Sequence, residues 1–167
     1  MKAYLRAAEE KDVDLLFCWA NDSEVRKNAF STEKISYEEH LAWYQKLLNN
    51  PECRQYIYIY NHTAVGQIRL TICGEEAEID YSICKEKRGM GHGKRMLQFL
   101  CCQVKKEFPD IKRLTAKVKH DNVASQQTFL AAGYHEKYSF FELDMEHALL
   151  PECSDCEENR GGGIVLN

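Results

Sequence analysis

A glycine-rich run near the middle of the chain is the segment whose residue types and spacing most clearly predict chemistry. It reads Arg88-Gly89-Met90-Gly91-His92-Gly93 and is followed by Lys94. Glycines let a backbone approach a ligand closely and turn its N–H groups toward that ligand. A helix that begins here would add unpaired donors and a partial positive charge. The run predicts an anion site for phosphate or pyrophosphate, flanked by the charges of Arg88 and Lys94. The alternative is a turn that only closes a strand–helix unit.

Two common nucleotide loops do not fit this spacing. A Walker A loop needs G-x-x-x-x-G-K followed by Ser or Thr. Here Gly93-Lys94 is followed by Arg95, and Gly89 lies four residues before Gly93 rather than five. A dinucleotide fingerprint needs G-x-G-x-x-G near the start of a βαβ unit, whereas this run lies in mid-chain with another spacing. Nucleoside triphosphate hydrolysis and dinucleotide binding are therefore disfavoured.

Hydrophobic periodicity and capping residues predict the elements that position this run. Strands are predicted over Met1–Ala7, Gln55–Tyr60, Val65–Cys73, Ala77–Cys84, Arg113–Val118 and Tyr138–Met145, and helices over Glu9–Ala20, Asp22–Arg26, Ser36–Leu48, Lys94–Glu107 and Asn122–Ala132. Ser36 to Glu39 form a capping box, and Gly133 is predicted to end the last helix. This order predicts a mixed α/β domain with early helices, an antiparallel meander and a strand–helix–strand crossover.

Composition and charge restrict the class of protein. The chain has 167 residues, of which 44% are hydrophobic and 29% charged, as in ordinary globular domains. We expect one domain over residues 1–150, followed by an acidic, glycine-rich tail over 151–167 that we expect to be mobile. The net charge of −4 disfavours nucleic-acid binding. No apolar run approaches the ~18 residues of a membrane span, and no signal-peptide pattern is visible, so we expect a cytoplasmic protein.

The cysteines are predicted to be thiols rather than disulfides. Cys18, Cys73, Cys84 and Cys101 fall where an apolar residue would fit, so we expect them to be buried and free. Cys153-Ser154-Asp155-Cys156 is a lone C-x-x-C pair. A structural zinc site needs a second pair of ligands, and none lies nearby, so no metal is predicted.

The run R-G-x-G-x-G between a strand and a helix resembles the acetyl-CoA pyrophosphate loop of the GNAT N-acetyltransferases, and the resemblance covers about residues 2–146. Ile83 lies five residues before Arg88, where the family places an aliphatic residue. The segment Asn122–Tyr134 is similar to the family's N-x-x-[A/S]-x-x-x-[Y/F]-x-x-x-G-[F/Y] pattern. Trp19–Asp22, with Arg26 and the helix from Ser36, resembles the RimJ/RimL-like ribosomal-protein branch.

This resemblance implies the GNAT fold: a central, mostly antiparallel sheet with a splayed parallel strand pair and flanking helices. It also implies an acetyl-CoA-dependent N-acetyltransferase in which the amine attacks the thioester directly. The residues that would hold acetyl-CoA are the backbone of Tyr81 and Ile83 for the pantetheine arm, the backbone N–H groups of Arg88, Gly89, Met90, Gly91, His92, Gly93 and Lys94 for the pyrophosphate, and Asn122, Ser125 and Phe129 near the arm and thioester. Asn122 could instead be a plain helix cap, and Phe129 ordinary core.

The general acid is not fixed by the resemblance. The family often has a tyrosine where this chain has Phe129, which removes the usual proton donor for the leaving thiolate. Some RimL-like members use the serine of the N-x-x-S segment, so Ser125 is the first candidate. Tyr134 and Tyr138 are the others.

The general base is equally open. An alkylammonium ion with a pKa of about 10 must lose a proton before it attacks. Glu78 and Asp80 lie on one strand face and could act directly or through water, although they could also form a solvated face. His92 and His120 are weaker candidates, which we expect on surface loops.

The acceptor is the least determined part of the function. Gln67 and Arg69 share a strand face, and together with Arg26 they could bind an anionic substrate; simple surface charge is the alternative. The runs Trp19–Asn28 and Gly66–Arg69 resemble acetyltransferases of amino-sugar (pseudaminic-acid type) pathways, which suggests a nucleotide-linked amino sugar. Protein N-termini, polyamines or drug amines, a non-catalytic acyl-CoA-binding module and a binding domain for another phosphorylated ligand stay open, as does a homodimer.

Overall fold

The structure is a computed structural model that describes residues 2–137. The compact unit of the chain ends at His135. The predicted strand Tyr138–Met145, the candidate acid Tyr138 and the tail that carries Cys153 and Cys156 lie outside the described residues. The domain boundary near residue 150 stays a prediction.

Helices and strands follow the predicted order, with shifts at their ends. The strands are β1 (Ala3–Ala7), β2 (Cys53–Tyr60), β3 (Thr63–Cys73), β4 (Glu76–Ile83) and β5 (Arg113–Thr115), and the α-helices are α1 (Val13–Ala20), α2 (Ser23–Asn28), α3 (Tyr37–Leu48), α4 (His92–Glu107) and α5 (Val123–Ala131), with short 3-10 turns at Glu10–Asp12 and Lys85–Lys87. The capping box of α3 is formed by Ser36 and Glu39 as predicted, and Gly133 ends α5 with a φ of +94°.

The five strands form one sheet in the order β1-β2-β3-β4-β5. The first four strands pair antiparallel. β5 pairs parallel with β4, but only through Glu76↔Arg113, Ala77↔Leu114 and Glu78↔Thr115. Beyond Glu78 the two strands diverge, so β5 is shorter than predicted and β4 keeps an edge without a strand partner as far as the described chain goes. The predicted splayed parallel pair is confirmed.

The core lies on both faces of this sheet. On one face α4 packs through Met96, Leu97 and Leu100 on buried residues of the sheet. On the other face α1 and α3 pack through Leu16 and Tyr44 on the inner part of β2. Because helices cover both faces, β2 is buried continuously from Gln55 to Ile59.

Two of the four cysteines predicted to be buried are exposed. The six cysteines within residues 2–137 are all free thiols, but Cys18 and Cys73 are exposed, and Cys84 and Cys101 are only partly covered. Cys18 lies two residues after the buried Leu16, which at 3.6 residues per turn is roughly 200° around the helix. Cys73 is the last residue of β3. The apolar character of cysteine alone did not predict that these two positions are exposed.

Candidate active site

The gap between the diverging strands opens into a cavity of about 1020 Å³. One half is lined by the edge of β4, the glycine run, residues 117–118 and α5. The other half is lined by α2, the loop that precedes α3, part of α3 and one face of β2, β3 and β4. A single cavity therefore joins the predicted anion loop to the strand face that carries the candidate acceptor residues.

The three glycines of the loop are required for two different reasons. Gly89 and Gly91 have φ angles of +72° and +75°, a region that side chains other than glycine rarely adopt. Gly93 instead needs space, because a Cβ there would lie 2.9 Å from Cγ2 of Thr128 and 3.5 Å from Cε2 of Tyr81. Gly91 immediately precedes α4. The first-turn N–H groups of α4 thus lack acceptors within the helix and border the cavity, as an anion site requires.

Arg88 lines the cavity and connects the loop to Ile83 and Asp22. Its Nε donates to the Ile83 carbonyl at 3.0 Å, and its Nη2 contacts Oδ1 of Asp22 at 2.5 Å. Its backbone N–H donates to the Lys85 carbonyl at 3.4 Å. The Arg88 N–H and the Ile83 carbonyl are therefore already bonded, and the predicted contacts of these two residues with acetyl-CoA stay predictions. Residues 89–94 are the part of the predicted loop that remains for the phosphates.

His92 is not on a surface loop, contrary to our expectation. It lies in the first turn of α4, is 5% exposed, and its ring packs 4.7 Å from that of Tyr60 and 5.9 Å from that of Tyr58. Burial, with the nearby charges of Arg95 and Lys87, lowers the pKa of the imidazole. A neutral, buried ring makes His92 part of the packing beneath the loop. His120 is exposed as expected.

The backbone of Tyr81 faces the gap. The N–H of Cys84 donates to the carbonyl of Val65 at 2.9 Å. Because backbone groups alternate in direction along an antiparallel ladder, the N–H and C=O of Ser82 point toward β3, and those of Tyr81 point away from it. Beyond Glu78 no β5 residue pairs with this edge. Tyr81 therefore offers a backbone donor and acceptor where the predicted pantetheine arm would run.

Helix α5 brings two of its predicted residues to the same place. The side-chain oxygen of Asn122 accepts the N–H of Ser125 at 3.2 Å, so Asn122 is a helix cap whose amide group also borders the cavity. Ser125 Oγ donates to the hydroxyl of Tyr81 at 3.3 Å. The buried Phe129 ring contacts the Tyr81 ring edge-on at 5.5 Å. The sequence had assigned only the backbone of Tyr81 to the site, because its side chain falls on the apolar side of the strand alternation.

Tyr134 is not brought to the cavity. Its hydroxyl faces Sγ of Cys101 at 4.0 Å, and burial raises its pKa. It lies outside the cavity lining. Of the three candidate acids, only Ser125 lies in the described site.

The candidate bases both line the cavity, and each has a cationic partner. Oε2 of Glu78 lies 2.8 Å from Nζ of Lys117, and Oδ2 of Asp80 lies 2.9 Å from a guanidinium nitrogen of Arg69. Both carboxylates are about half exposed and in reach of water. Arg69 also stacks on the Trp43 ring at 5.3 Å.

A chain of uncharged polar groups forms the floor of the acceptor half. Nε2 of Gln55 donates to Oε1 of Gln67 at 2.6 Å, and Nε2 of Gln67 donates to Oγ of Ser82 at 3.4 Å. Gln55 and Ser82 are only 6% and 8% exposed. Sequence reasoning named Gln67 but missed the other two. Polar residues at inward positions of a central strand were the signal that could have found them.

Arg26 lines the cavity and also bonds to backbone carbonyls. Its Nε donates to the Ala20 carbonyl at 2.6 Å, and its Nη1 donates to the carbonyls of Ser31 and Glu33 at 3.2 and 3.4 Å. The guanidinium therefore holds the loop before α3 at the edge of the cavity. Its predicted contact with an anionic substrate stays a prediction.

Two further features bear on what the site could bind. Within the described part of the chain, no group of three or more His, Cys, Asp or Glu side chains could hold a metal ion. No helix of residues 2–137 is long and apolar enough to span a bilayer.

Comparison with solved structures places this architecture among acetyltransferases. The chain superposes on aminoglycoside acetyltransferase AAC(6')-Ib with paromomycin and acetyl-CoA at a TM-score of 0.74 and 16% identity, covering 82% of this chain and 85% of that one. The values for spermidine N-acetyltransferase from Vibrio cholerae with CoA and spermine are 0.73 and 18%, with 83% and 86% covered. For RimL, a ribosomal L7/L12 α-N-protein acetyltransferase with CoA, they are 0.69 and 20%, with 80% of each chain covered.

Sequence comparison identifies the family. A search of curated proteins found no match. The acetyltransferase (GNAT) domain matches residues 2–135, which include every described strand and helix. The chain therefore belongs to the GNAT acetyltransferase family.

Proposed function

We propose that this chain transfers an acetyl group from acetyl-CoA to the primary amine of a small hydroxylated acceptor, with a nucleotide-linked amino sugar as the best-matched class. The observation that carries the proposal is the single cavity that joins the first turn of α4 to the polar floor of the sheet. The described lining contains no cysteine, which favours direct attack by the amine in a ternary complex over an acyl-enzyme.

In this proposal, acetyl-CoA supplies an activated acetyl group, and the chain supplies binding, orientation and proton transfer. The N–H groups of residues 89–94 hold the pyrophosphate. The Tyr81 backbone and the Asn122 amide hold the arm along the open edge of β4. Glu78 or Asp80 receives the proton of the acceptor ammonium through a water, because both carboxylates border the cavity and are about half exposed to solvent.

The floor favours an acceptor with hydroxyl or amide groups over an aliphatic polyamine. Carboxamide and hydroxyl side chains such as those of Gln67 and Ser82 match neutral hydrogen-bonding groups. A polyamine would need unpaired carboxylates on the floor, where Glu78 and Asp80 each have a cation within 3 Å. Glu24, Glu33 and Glu39 line the cavity outside this floor. Arg69, held against Trp43, could exchange Asp80 for the phosphate of a nucleotide-linked sugar. Polyamines and protein N-termini, the acceptors of two structural neighbours, are the alternatives.

The first experiment separates binding from turnover. Thermal shift with acetyl-CoA, CoA and NAD tests the loop, since a ligand that binds only the folded state raises Tm. Release of free CoA thiol is then followed against a UDP-linked 4-amino sugar, an aminoglycoside, spermidine and a Ser/Ala N-terminal peptide. We expect stabilisation by acetyl-CoA and CoA, none by NAD, and fastest release with the amino sugar. Stabilisation without release from any amine would support a non-catalytic acyl-CoA-binding module and contradict the proposal.

A matched pair of variants tests the acceptor floor. Gln67→Met removes the central amide of the floor, whereas Gln103→Met alters a partly exposed glutamine of α4 that bonds Glu107 and lies outside the cavity lining. We expect Gln67→Met to raise the acceptor KM about tenfold, a loss typical of one hydrogen bond to a substrate, and to leave the acetyl-CoA KM unchanged. Equal effects of both variants would remove the floor from acceptor recognition.

A further inference from the structure

A pair of hydroxyl groups meets in the gap between β4 and α5, where no fold requirement accounts for it. Ser125 Oγ donates to Tyr81 Oη at 3.3 Å, and both residues line the cavity. With its oxygen accepting this bond, the tyrosine retains its own hydrogen for another acceptor. Within residues 2–137, Tyr81 Oη has no other hydrogen-bond partner.

The Tyr81 ring is held on two sides. On one side it meets the edge of the Phe129 ring at 5.5 Å. On the other it lies against the first turn of α4, where a Cβ on Gly93 would stand 3.5 Å from Cε2. The ring therefore has a fixed direction between the phosphate end of the cavity and α5. Fixed geometry is what distinguishes a useful proton donor from a mobile surface hydroxyl.

The backbone of the same residue occupies the open edge of β4. An arm that leaves a phosphate at the start of α4 and pairs with this edge must pass the Tyr81–Ser125 pair. Phe129, the neighbouring ring, has no proton to give. The Tyr81–Ser125 pair therefore borders the path that such an arm would take.

We propose that Tyr81 is the general acid of this enzyme and that Ser125 positions it; this rests on the proposed function. The acceptor nitrogen forms a bond to the acetyl carbon, the carbon–sulfur bond breaks, and its electron pair stays on sulfur. Tyr81 Oη gives its proton to that sulfur. The Ser125 hydrogen bond stabilises the resulting phenolate. The proton released by the acceptor ammonium passes to water, and solvent returns one to Tyr81. Of the two hydroxyls the tyrosine is the donor, because phenols are stronger acids than alcohols.

The test uses Tyr81→Phe, Ser125→Ala and a matched control, Tyr37→Phe. Tyr37 has its hydroxyl on Asp14, outside the cavity lining. With acetyl-CoA and the best acceptor saturating, we expect kcat to fall about a hundredfold in Tyr81→Phe, the lower end for a general acid. We expect a smaller fall in Ser125→Ala and none in Tyr37→Phe.

A binding measurement provides a readout that does not depend on turnover. Calorimetry compares the affinities of CoA and of desulfo-CoA, which lacks the sulfur, from pH 7 to pH 9.5. We expect the preference for CoA to grow with pH in wild type, because a hydroxyl donor favours the thiolate, and to be lost in Tyr81→Phe. Thermal unfolding of each variant identifies any that fails to fold.

The outcomes separate the two proposals. If wild type turns over but Tyr81→Phe keeps its kcat and its preference for CoA within threefold, Tyr81 is not the acid. If wild type releases no thiol with any amine, the proposed function fails. In that case, a Tyr81-dependent preference for CoA would still place the hydroxyl at the sulfur, and its absence would overturn that placement.

Discussion

Glycine serves different needs at neighbouring positions of the loop that begins α4. At Gly93 the need for glycine can be removed by a substitution at another position, because the group that would clash with a side chain there is the methyl group of Thr128. A steric conflict with one side chain is a local property that a second substitution can remove. The two conformational glycines, Gly89 and Gly91, offer no such route.

We expect Gly93→Ala to destabilise the domain by about 1–3 kcal/mol, the usual cost of overpacking, and to weaken acetyl-CoA binding by displacing α5. Thr128→Ser removes the conflicting Cγ2 atom and should restore most of both losses in the double variant. Urea unfolding and calorimetry would measure them, with Thr128→Ser alone as the control. Additive losses in the double variant would show that the contact with Thr128 is not the reason for glycine at this position.

Side-chain partners far apart in sequence limit what could be predicted at the residue scale. The loop glycines, the α3 capping box and Gly133 were predictable because each depends on neighbours within a few residues. The positions of Arg88 and Arg26 were not, since their guanidinium groups bond to Asp22 and to backbone carbonyls. The sequence gives the charge of an arginine but not whether its guanidinium group is already bonded to another part of the chain.

The Arg88–Asp22 contact joins the anion loop to helix α2. Oδ1 of Asp22 also caps α2 by accepting the N–H groups of Glu24 and Val25. The two elements that border opposite halves of the cavity therefore share one carboxylate.

This arrangement predicts the effect of Asp22→Asn on ligand binding. Asparagine keeps the helix cap but removes the negative charge that holds Arg88. If Arg88 acts by positioning the loop, we expect the Kd for acetyl-CoA to rise about tenfold, the lower end of the range for a hydrogen bond to a charged group. Arg88→Lys, which cannot bridge both partners, should match it. Tighter binding in Asp22→Asn would instead mean that Arg88 acts as a charge toward the phosphates. Calorimetry decides between the two.

A second ion pair stabilises the start of the fold. Arg6 of β1 contacts both carboxylate oxygens of Asp12 at 2.7 Å, and the Glu9 N–H donates to the same group at 2.8 Å. The Asp12 side chain is 6% exposed. The bond from Arg6, ahead of the opposing effect of burial, holds the pKa of this carboxyl below its ordinary value.

We expect Asp12→Asn to cost about 1.5–3 kcal/mol of unfolding free energy at pH 7, the range for a hydrogen bond to a charged group. Because the folded-state pKa is depressed, this stability is fully present above the unfolded pKa of about 3.9. It is lost as the pH falls through the folded value. Urea unfolding of wild type, Asp12→Asn and the exposed control Asp110→Asn measures this effect. The difference in unfolding free energy between wild type and Asp12→Asn should stay constant from pH 7 to 5. A difference that disappears above pH 5 would contradict the depressed pKa of Asp12.

At the scale of elements, boundaries were harder to predict than existence. The residues after Thr115 keep a strand-like alternation through Val118, so nothing local indicates that pairing stops. Pairing stops because β4 and β5 diverge, which is a property of two segments together. The start of α4 at His92 likewise depends on the backbone conformation of Gly91.

For the whole molecule, the predicted fold class and family are confirmed. The fold class and family could be predicted because the strand–loop–helix unit and the N-x-x-S segment stand in the order and at the spacing of the family pattern. The floor of the cavity was not predictable in the same way, because Gln55, Gln67 and Ser82 come from three strands and meet only through the sheet register. A homodimer stays a prediction, which sedimentation velocity can test.

The three-pair junction between β4 and β5 has a dynamic consequence. Within residues 113–137, the backbone contacts with the sheet are these three pairs and a bond from the Arg113 N–H to the Glu75 carbonyl, which lies just before β4. We therefore expect the β5 amides to exchange with deuterium faster than those of β2 and β3. A substrate arm that pairs with Tyr81 would bridge the gap and slow exchange in β5 and α5. Unchanged exchange there on addition of CoA would argue against such bridging.

In such a complex, the ligand would take the place of a strand beside the open edge of β4. The free energy of opening the β5–α5 segment would then rise with ligand concentration, as RT ln(1 + [L]/Kd) requires. Resistance of the chain to proteolysis would track the supply of acetyl-CoA. The catalyst would persist longest when its own substrate is abundant, without any separate regulatory site.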